Sequence, residues 1–193
     1  MKKLQIGIMG SAADLNYSDE ALKFSRKLGA LIGKSGNILV YGAEKEYTSL
    51  STEAAKEANK NGGITVGVLG GKKREVFGSF KPTIMINSGL EIGGGREFTL
   101  VLSCDVIIAI SGGSGTLTEM AIAYQAGIPI IVVDKFGGWA ESLSNKFIDN
   151  RKRLKCIVAN NEEDALQKAI KEGKKKNAVS YTHLRAHETG RNL

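Results

Sequence analysis

The chain has 193 residues, 42% of them hydrophobic, and a formal net charge of +7, values typical of one globular domain with a sizeable core. Its longest apolar stretches, such as 128–133, are too short to cross a bilayer, and the start MKKLQIGIMG runs directly into a predicted strand, so we expect a cytoplasmic protein without a membrane segment. Cys104 and Cys156 are too few and too far apart for a disulfide framework or a metal cluster, and we expect neither a metal nor another cofactor.

Short apolar runs alternate with amphipathic segments along the chain. The apolar runs predict strands at 4–9, 37–41, 64–69, 83–86, 106–110, 129–133 and 155–158. The segments between and after them predict helices at 17–34, 51–61, 96–104, 116–126, 141–149 and 162–172. Because strands that alternate with helices form parallel sheets, the expected fold class is α/β. The expected architecture is a three-layer α/β/α fold over residues 1–173 with a doubly wound, mainly parallel sheet.

The last twenty residues carry most of the charge surplus. Residues 174–193 contain five Lys and Arg residues against Glu188, which is +4 and leaves +3 for residues 1–173. Nucleic acid is therefore not expected as a partner. The segment 178–193 resembles translated sequencing-adaptor sequence, and it holds both histidines, His183 and His187, without an apolar face to support a metal site. We predict that 174–193 is a basic, disordered tail and that 178–193 is not native sequence.

The most informative segment is SGGSGTLTE at 111–119, between the predicted strand 106–110 and the predicted helix 116–126. Glycines in such a loop let the backbone approach a ligand, and the unpaired N–H groups of the first helical turn attract an anion. The absence of a Gly-Lys-Ser/Thr sequence argues against hydrolysis of nucleoside triphosphates. The expected phosphate-binding residues of this loop are Gly112, Gly113, Ser114, Gly115 and Thr116.

Other small residues follow strands at the same edge of the predicted sheet. Gly10 and Ser11 end the first strand, Gly42 ends the second, and Ser88 follows the fourth. Ligands of doubly wound sheets bind beyond the carboxyl ends of the strands, where the strand order reverses. A single glycine there is usually turn chemistry, but together these residues predict further contacts to a nucleotide.

Glu119 lies one helical turn beyond Gly115, close to the expected anion. An acid at this place serves either the chemistry of the site or the helix dipole, to which it contributes about 0.3–1 kcal/mol. The sequence of this loop alone does not decide between a chemical role and a helix-dipole role for Glu119.

Several motifs resemble the Lonely Guy (LOG) family and its wider superfamily of Rossmann-like nucleotide-binding proteins, often mislabelled lysine decarboxylases. The motifs are IGIMGSA at 6–12, ILVYG at 38–42, GGITVGVLGG at 62–71, GGGRE at 93–97, SCDVIIAISGGSGTLTE at 103–119 and AGIPIIVV at 126–133. The resemblance implies cleavage of the N-glycosidic bond of nucleoside 5′-monophosphates, with release of base and ribose 5-phosphate. It also implies a homodimer, for which the apolar helices 96–104 and 116–126 offer surface.

The family signature, an arginine before a PGGxGTxxE loop and the glutamate that closes the loop, implies Arg96 and Glu119 as catalytic residues. A carboxylate stabilises the oxocarbenium-like transition state and orients water, while a guanidinium grips phosphate or ribose oxygens. The alternative for Arg96 is an ion pair with Glu97 or Glu119 on the helix surface.

Two features depart from the family pattern. The segment after the second strand is YGAEKEYTSL, which brings Glu44 and Glu46 to a loop expected to face phosphate or ribose. Negative charges there are expected to repel each other. Ser111 replaces the usual proline, which costs the loop stiffness rather than a functional group.

Three functions follow from these observations. The first is a nucleoside 5′-monophosphate phosphoribohydrolase. The second is a module that binds a nucleotide or nucleotide-derived ligand without turning it over, and the third is a nucleic-acid-handling relative, which the charge distribution disfavours. Release of free base from a nucleotide separates the first from the second.

Overall fold

The computed structural model describes residues 2–12, 16–90 and 95–189, with side chains up to residue 178. Seven strands are present in these ranges: β1 (Gln5–Gly10), β2 (Ile38–Ala43), β3 (Ile64–Leu69), β4 (Ile84–Asn87), β5 (Val106–Ile110), β6 (Ile130–Val133) and β7 (Ile157–Ala159). The same ranges hold six helices: α1 (Asp19–Lys34), α2 (Leu50–Lys60), α3 (Arg96–Leu102), α4 (Ser114–Gln125), α5 (Gly138–Ser142) and α6 (Glu162–Thr189). Gly93 and Gly94 of the GGGRE motif lie outside the described residues.

The strands form one parallel sheet in the order β4-β3-β2-β1-β5-β6-β7. The chain thus winds outward from β1 in one direction through β4, then returns to β5 on the other side of β1. The carboxyl ends of β1 and β5 lie side by side, with Gly10 paired to Ile110. The predicted α/β class and doubly wound parallel sheet are confirmed, and the point where the strand order reverses lies between β1 and β5.

Helices cover both faces of the sheet and produce two apolar cores. One core joins α1, α2 and α6 to the sheet, and the other joins α3, α4 and α5 to it. The central strands read as nearly continuous apolar runs because both of their faces are buried. The closest helix contact is between α1 and α2, where a Cβ at Gly29 would lie 2.0 Å from the carbonyl oxygen of Ala54. These two helices are therefore fixed firmly beside the loop that follows β2.

Two helices differ from the sequence-based expectation. The predicted helix 141–149 is wrong in its limits, because α5 begins earlier and ends at Ser142. The Trp139 N–H donates to the carbonyl oxygen of Gly112, and the Ala140 N–H donates to that of Ser111. The first residues of α5 are therefore bonded to the glycine-rich loop. Asn145 adopts φ +55°, a left-handed conformation that cannot continue a helix.

The last helix is longer than expected. The predicted helix ends at residue 172, whereas the helical backbone of α6 continues to Thr189, through most of the segment expected to be a disordered tail. The domain boundary at 173 and the non-native origin of 178–193 stay predictions. Among the helices of the described ranges, none combines the length and apolar character needed to cross a bilayer.

The outer faces of α3 and α4 leave an apolar groove of about 610 Å³. Phe98 and Leu102 are each more than half exposed at its edge. Leu117, Ala121 and Ile122 of α4 form its floor. Exposed apolar patches of this kind mark surfaces that meet another molecule.

Candidate functional site

Two adjoining cavities open at the carboxyl ends of the strands, and Glu44 and Tyr47 line both. We call the first the loop cavity, of about 330 Å³, lined by Gly10, Ser11, Ala12, Glu44, Tyr47, Arg96, Glu97, Gly113, Ser114, Gly115, Thr116, Thr118 and Glu119. We call the second the outer cavity, of about 470 Å³, lined by Ala43, Glu44, Lys45, Glu46, Tyr47, Gly70, Gly71, Lys72, Lys73, Glu75 and Gly89. Each volume falls in the range of small-molecule sites.

Ser11 ties the two loops at the reversal point together. Its Oγ donates a hydrogen bond to the Ser111 Oγ at 3.0 Å and accepts one from the Gly112 backbone N–H at 2.8 Å. Ser11 is buried, so these bonds are shielded from competing water. The glycine-rich loop is therefore held in one conformation by the residue that follows β1.

The loop backbone differs from that of a proline-containing loop. Ser111 adopts φ +57° and Gly112 adopts φ +101°. Proline is fixed near −65°, so it cannot adopt the conformation of Ser111. The expectation that serine costs this loop only stiffness is wrong, because Ser111 adopts a backbone conformation that a proline at this position would not allow. Gly112 is required as well, since a Cβ there would lie 2.4 Å from the side chain of Thr116.

Helix α4 begins at Ser114 with its N-terminus open to the loop cavity. Its N-cap is Gly113, which has no side chain to cap the first turn. The first four N–H groups of a helix have no partner within the helix, and the helix dipole adds partial positive charge at this end. The arrangement suits an anion such as a phosphate group.

Arg96 is the buried cation of the loop cavity. It is the first residue of α3 and is 4% exposed. Its Nη1 lies 3.0 Å from the Glu44 Oε1, and its Nη2 lies 3.5 Å from the Glu97 Oε1. Within the part of the chain that the structure describes, its buried Nε has no hydrogen-bond partner. The described residues therefore leave one donor of this guanidinium unsatisfied, while the Arg96 side chain contributes positive charge to the lining of the loop cavity.

Glu119 lies in the same cavity and is 8% exposed. Burial raises the pKa of its carboxyl to about 8, Arg96 opposes this rise, and the nearby Glu97 and Glu44 add to it. The protonated form therefore predominates at neutral pH in the unliganded protein. Of the two partners considered for Arg96, Glu97 forms an ion pair, and among the described ion pairs none joins Arg96 to Glu119.

The structure brings most of the expected site residues together. Those that line the loop cavity are Gly10, Ser11, Arg96, Gly113, Ser114, Gly115, Thr116 and Glu119. Gly112 does not line the cavity, and its backbone N–H donates a hydrogen bond to the Ser11 Oγ.

Besides Gly112, two expected residues, Gly42 and Ser88, line neither cavity. A Cβ at Gly42 would lie 3.3 Å from the Arg96 Nη2, so this glycine makes room for the guanidinium rather than for a ligand. Ser88 directs its Oγ to the carbonyl oxygens of Leu69 and Leu90, at 2.8 and 3.2 Å, and its hydroxyl shapes a turn.

Five residues of the loop cavity were not expected as binding residues: Ala12, Glu44, Tyr47, Glu97 and Thr118. Sequence reasoning noticed Glu44 but predicted repulsion between it and a phosphate. Glu44 follows β2 directly, at the edge of the sheet where the site was expected. There it pairs with Arg96, because the charge of a buried arginine needs a compensating acid.

The sequence profile of the SLOG cluster4 family matches residues 3–166, and the chain belongs to this family. An uncharacterized protein of Archaeoglobus fulgidus is 30% identical over 127 residues, which cover 66% of this chain and 78% of that protein. Among solved structures, the molybdenum cofactor binding protein of Rippkaea orientalis is similar, with 29% identity, a TM-score of 0.71, and coverage of 86% of this chain and 95% of that one. The molybdenum cofactor carrier protein of Chlamydomonas reinhardtii is similar at 29% identity and a TM-score of 0.70, covering 89% of this chain and 98% of that one.

Proposed function

We propose that this SLOG cluster4 protein binds a phosphorylated small molecule of the nucleotide type and holds it without hydrolysis. The observation that carries the proposal is the loop cavity itself. It combines the N-terminus of α4, which has no side-chain cap, with the buried guanidinium of Arg96 in one lining. Such a site matches the charge and the several acceptor oxygens of a phosphate group.

The state of Glu119 favours binding over hydrolysis. A carboxylate that stabilises an oxocarbenium-like transition state must be ionised, whereas the raised pKa of Glu119 keeps it mostly protonated at neutral pH. Glu44 also balances the charge of Arg96 in the unliganded protein. The similar solved structures are those of a binding protein and a carrier protein, which agrees with this proposal.

A nucleoside 5′-monophosphate phosphoribohydrolase is the second candidate function. It is favoured by the presence of Arg96 and Glu119, the two residues that the LOG resemblance implies as catalytic, in one cavity beside the phosphate loop. In that case the reaction rate is expected to rise with pH through about 8, as Glu119 becomes ionised.

The similar structures also suggest the molybdenum cofactor as a ligand. The loop cavity fits an anionic part of such a molecule, while the described residues contain no group of three or more His, Cys, Asp or Glu side chains arranged to hold a metal ion. We therefore expect this protein to contact the organic part of any such cargo. A homodimer, a cytoplasmic location and the absence of a nucleic-acid partner stay predictions.

The test places a negative charge where the phosphate is expected. In Ser114→Asp the new carboxylate lies in the first turn of α4, where it favours the helix and repels an anionic ligand. Ser79→Asp adds the same charge in the exposed connection between β3 and β4 and serves as the control. Binding of the four common nucleoside 5′-monophosphates and of inorganic phosphate is measured by calorimetry, and free base is measured by chromatography.

We expect binding of at least one monophosphate, competition by inorganic phosphate, and a loss of affinity of about tenfold or more in Ser114→Asp alone. Binding without release of base supports the module, and release of base supports the hydrolase. If no monophosphate and no phosphate binds the unmodified protein, or if both variants bind equally well, the proposed phosphate site is wrong.

A further inference from the structure

Glu44 stands at the boundary between the two cavities, and its pairing with Arg96 uses only one of its two carboxylate oxygens. We infer that Glu44 is the residue that recognises the sugar hydroxyls of the ligand, and that the ligand extends from the loop cavity into the outer cavity. This inference rests on the proposed function, because the phosphate at α4 fixes one end of the molecule.

The position of Glu44 in the fold supports this role. It follows the last residue of β2, and β2 is the immediate neighbour of β1 in the sheet. In doubly wound folds that bind dinucleotides, an acidic residue beyond the first glycine turn accepts hydrogen bonds from ribose hydroxyls, while the phosphates lie on a helix N-terminus. Here the helix N-terminus belongs to α4, on the other side of β1, and the acid lies across the reversal point from it.

The local contacts orient the Glu44 carboxylate for this purpose. Its backbone carbonyl accepts a hydrogen bond from the Phe77 N–H at 2.9 Å, which fixes the start of the loop. Its Oε1 receives the Arg96 Nη1 at 3.0 Å. Within the described residues no hydrogen bond to its Oε2 is found, and the side chain is only 13% exposed. The Oε2 is therefore an accessible acceptor on a mostly buried side chain, and the paired arginine limits its repulsion of the phosphate.

The outer cavity has the size and chemistry for the rest of the ligand. Its floor includes backbone at Gly70, Gly71 and Gly89, where the absence of side chains lets a flat ring approach closely. Tyr47 lines both cavities and offers an aromatic face near the boundary. The walls carry both lysines and glutamates, which suits a heterocycle with donors and acceptors better than a second phosphate. The sugar of such a ligand lies between ring and phosphate, beside Glu44.

The test compares ribonucleotides with 2′-deoxyribonucleotides. The monophosphate that binds best is measured against its 2′-deoxy form, in the unmodified protein, in Glu44→Ala and in Glu44→Gln. Glu57→Ala is the control, because Glu57 is an ion-paired glutamate on the surface of α2, with Lys60 at 2.6 Å, and it lines neither cavity. Melting temperatures verify that each variant is folded.

We expect the unmodified protein and Glu57→Ala to bind the ribonucleotide about tenfold or more tightly than the deoxy form, because the deoxy form lacks a hydroxyl that donates to the Glu44 carboxylate. In Glu44→Ala the ratio of the two dissociation constants falls to about one, and Glu44→Gln, which keeps a neutral acceptor, gives an intermediate ratio. Equal binding of both forms by the unmodified protein, or an undiminished ratio in both Glu44 variants, overturns the inference and leaves the phosphate site standing. If neither nucleotide nor inorganic phosphate binds, the inference and the proposed function both fail.

Discussion

Replacement of Glu119 by Gln is expected to change how the stability of the unliganded protein depends on pH. Glu119 is 8% exposed, and burial is the main cause that raises the pKa of its carboxyl from 4.5 to about 8. The unfolded chain releases this proton near pH 4.5, whereas the folded protein keeps it to about pH 8. Between these values the folded state binds more protons than the unfolded state, so the free energy of unfolding falls as pH rises.

The size of the effect follows from the shift. Each unit of pKa change corresponds to about 1.36 kcal/mol, so the rise from 4.5 to about 8 lowers the free energy of unfolding by about 5 kcal/mol at most. Entry of water into the cavity reduces this loss of stability to about 3–5 kcal/mol. Glutamine has the shape of the protonated acid but does not ionise. Glu119→Gln therefore matches the unmodified protein below about pH 4.5 and exceeds its stability by a growing amount between pH 4.5 and about 8, where the unfolded chain has released the proton that the folded protein still holds.

Urea unfolding at half-unit steps from pH 5 to 9 measures this difference. The free energy of unfolding of the variant, minus that of the unmodified protein, is expected to grow from pH 5 to about 8 and then to level off. Glu57→Gln, on the surface of α2, serves as the control and is expected to run parallel to the unmodified protein. Parallel curves for Glu119→Gln as well would refute the assignment of a buried, protonated carboxyl at this position.

Two further predictions concern the surfaces of the protein. The first is that the apolar groove of α3 and α4 forms the interface of a homodimer that buries about 1,000 Å² or more. Light scattering at micromolar concentration is then expected to give the mass of two chains, and the double variant Phe98→Glu, Leu102→Glu is expected to give the mass of one. A mass near one chain for the unmodified protein excludes the dimer. Truncation after Lys176 is expected to leave the melting temperature and ligand binding unchanged, because Lys176, which reaches the carbonyl oxygen of Cys104 at 3.3 Å, is retained; a large drop in melting temperature would mean that residues 177–193 contribute to the fold.

The sheet could be predicted from the sequence because its strands are buried on both faces. Runs such as 106–110 and 130–133 are apolar at every position, and the helices between them repeat with helical spacing. The phosphate loop could be predicted for a related reason, since its function resides in the backbone and in glycine positions. Apolar runs and glycine positions each lie within a short segment of sequence, so the sequence of that segment is enough to predict them.

The rest of the site depends on contacts between distant segments. Gly42 and Ser88 are at the ends of strands, as expected, but one accommodates Arg96 and the other bonds to nearby carbonyl groups. The pairing of Glu44 with Arg96 joins residues on either side of β3 and β4, and no local pattern indicates which acid meets which base. Ser111, which adopts φ +57°, likewise bonds to Ser11, 100 residues away in sequence.

The charges of the loop cavity link ligand binding to proton binding. Arg96 is surrounded by Glu44, Glu97 and Glu119, so one cation faces three acids. Protonation of Glu119 removes one of these negative charges before any ligand arrives. A phosphate at α4 brings new negative charge close to the same carboxyl and favours its protonated form still more. By linkage, the proton favours phosphate binding to the same degree, so the affinity for phosphate is expected to fall as pH rises above about 8, the pKa of Glu119 in the unliganded protein.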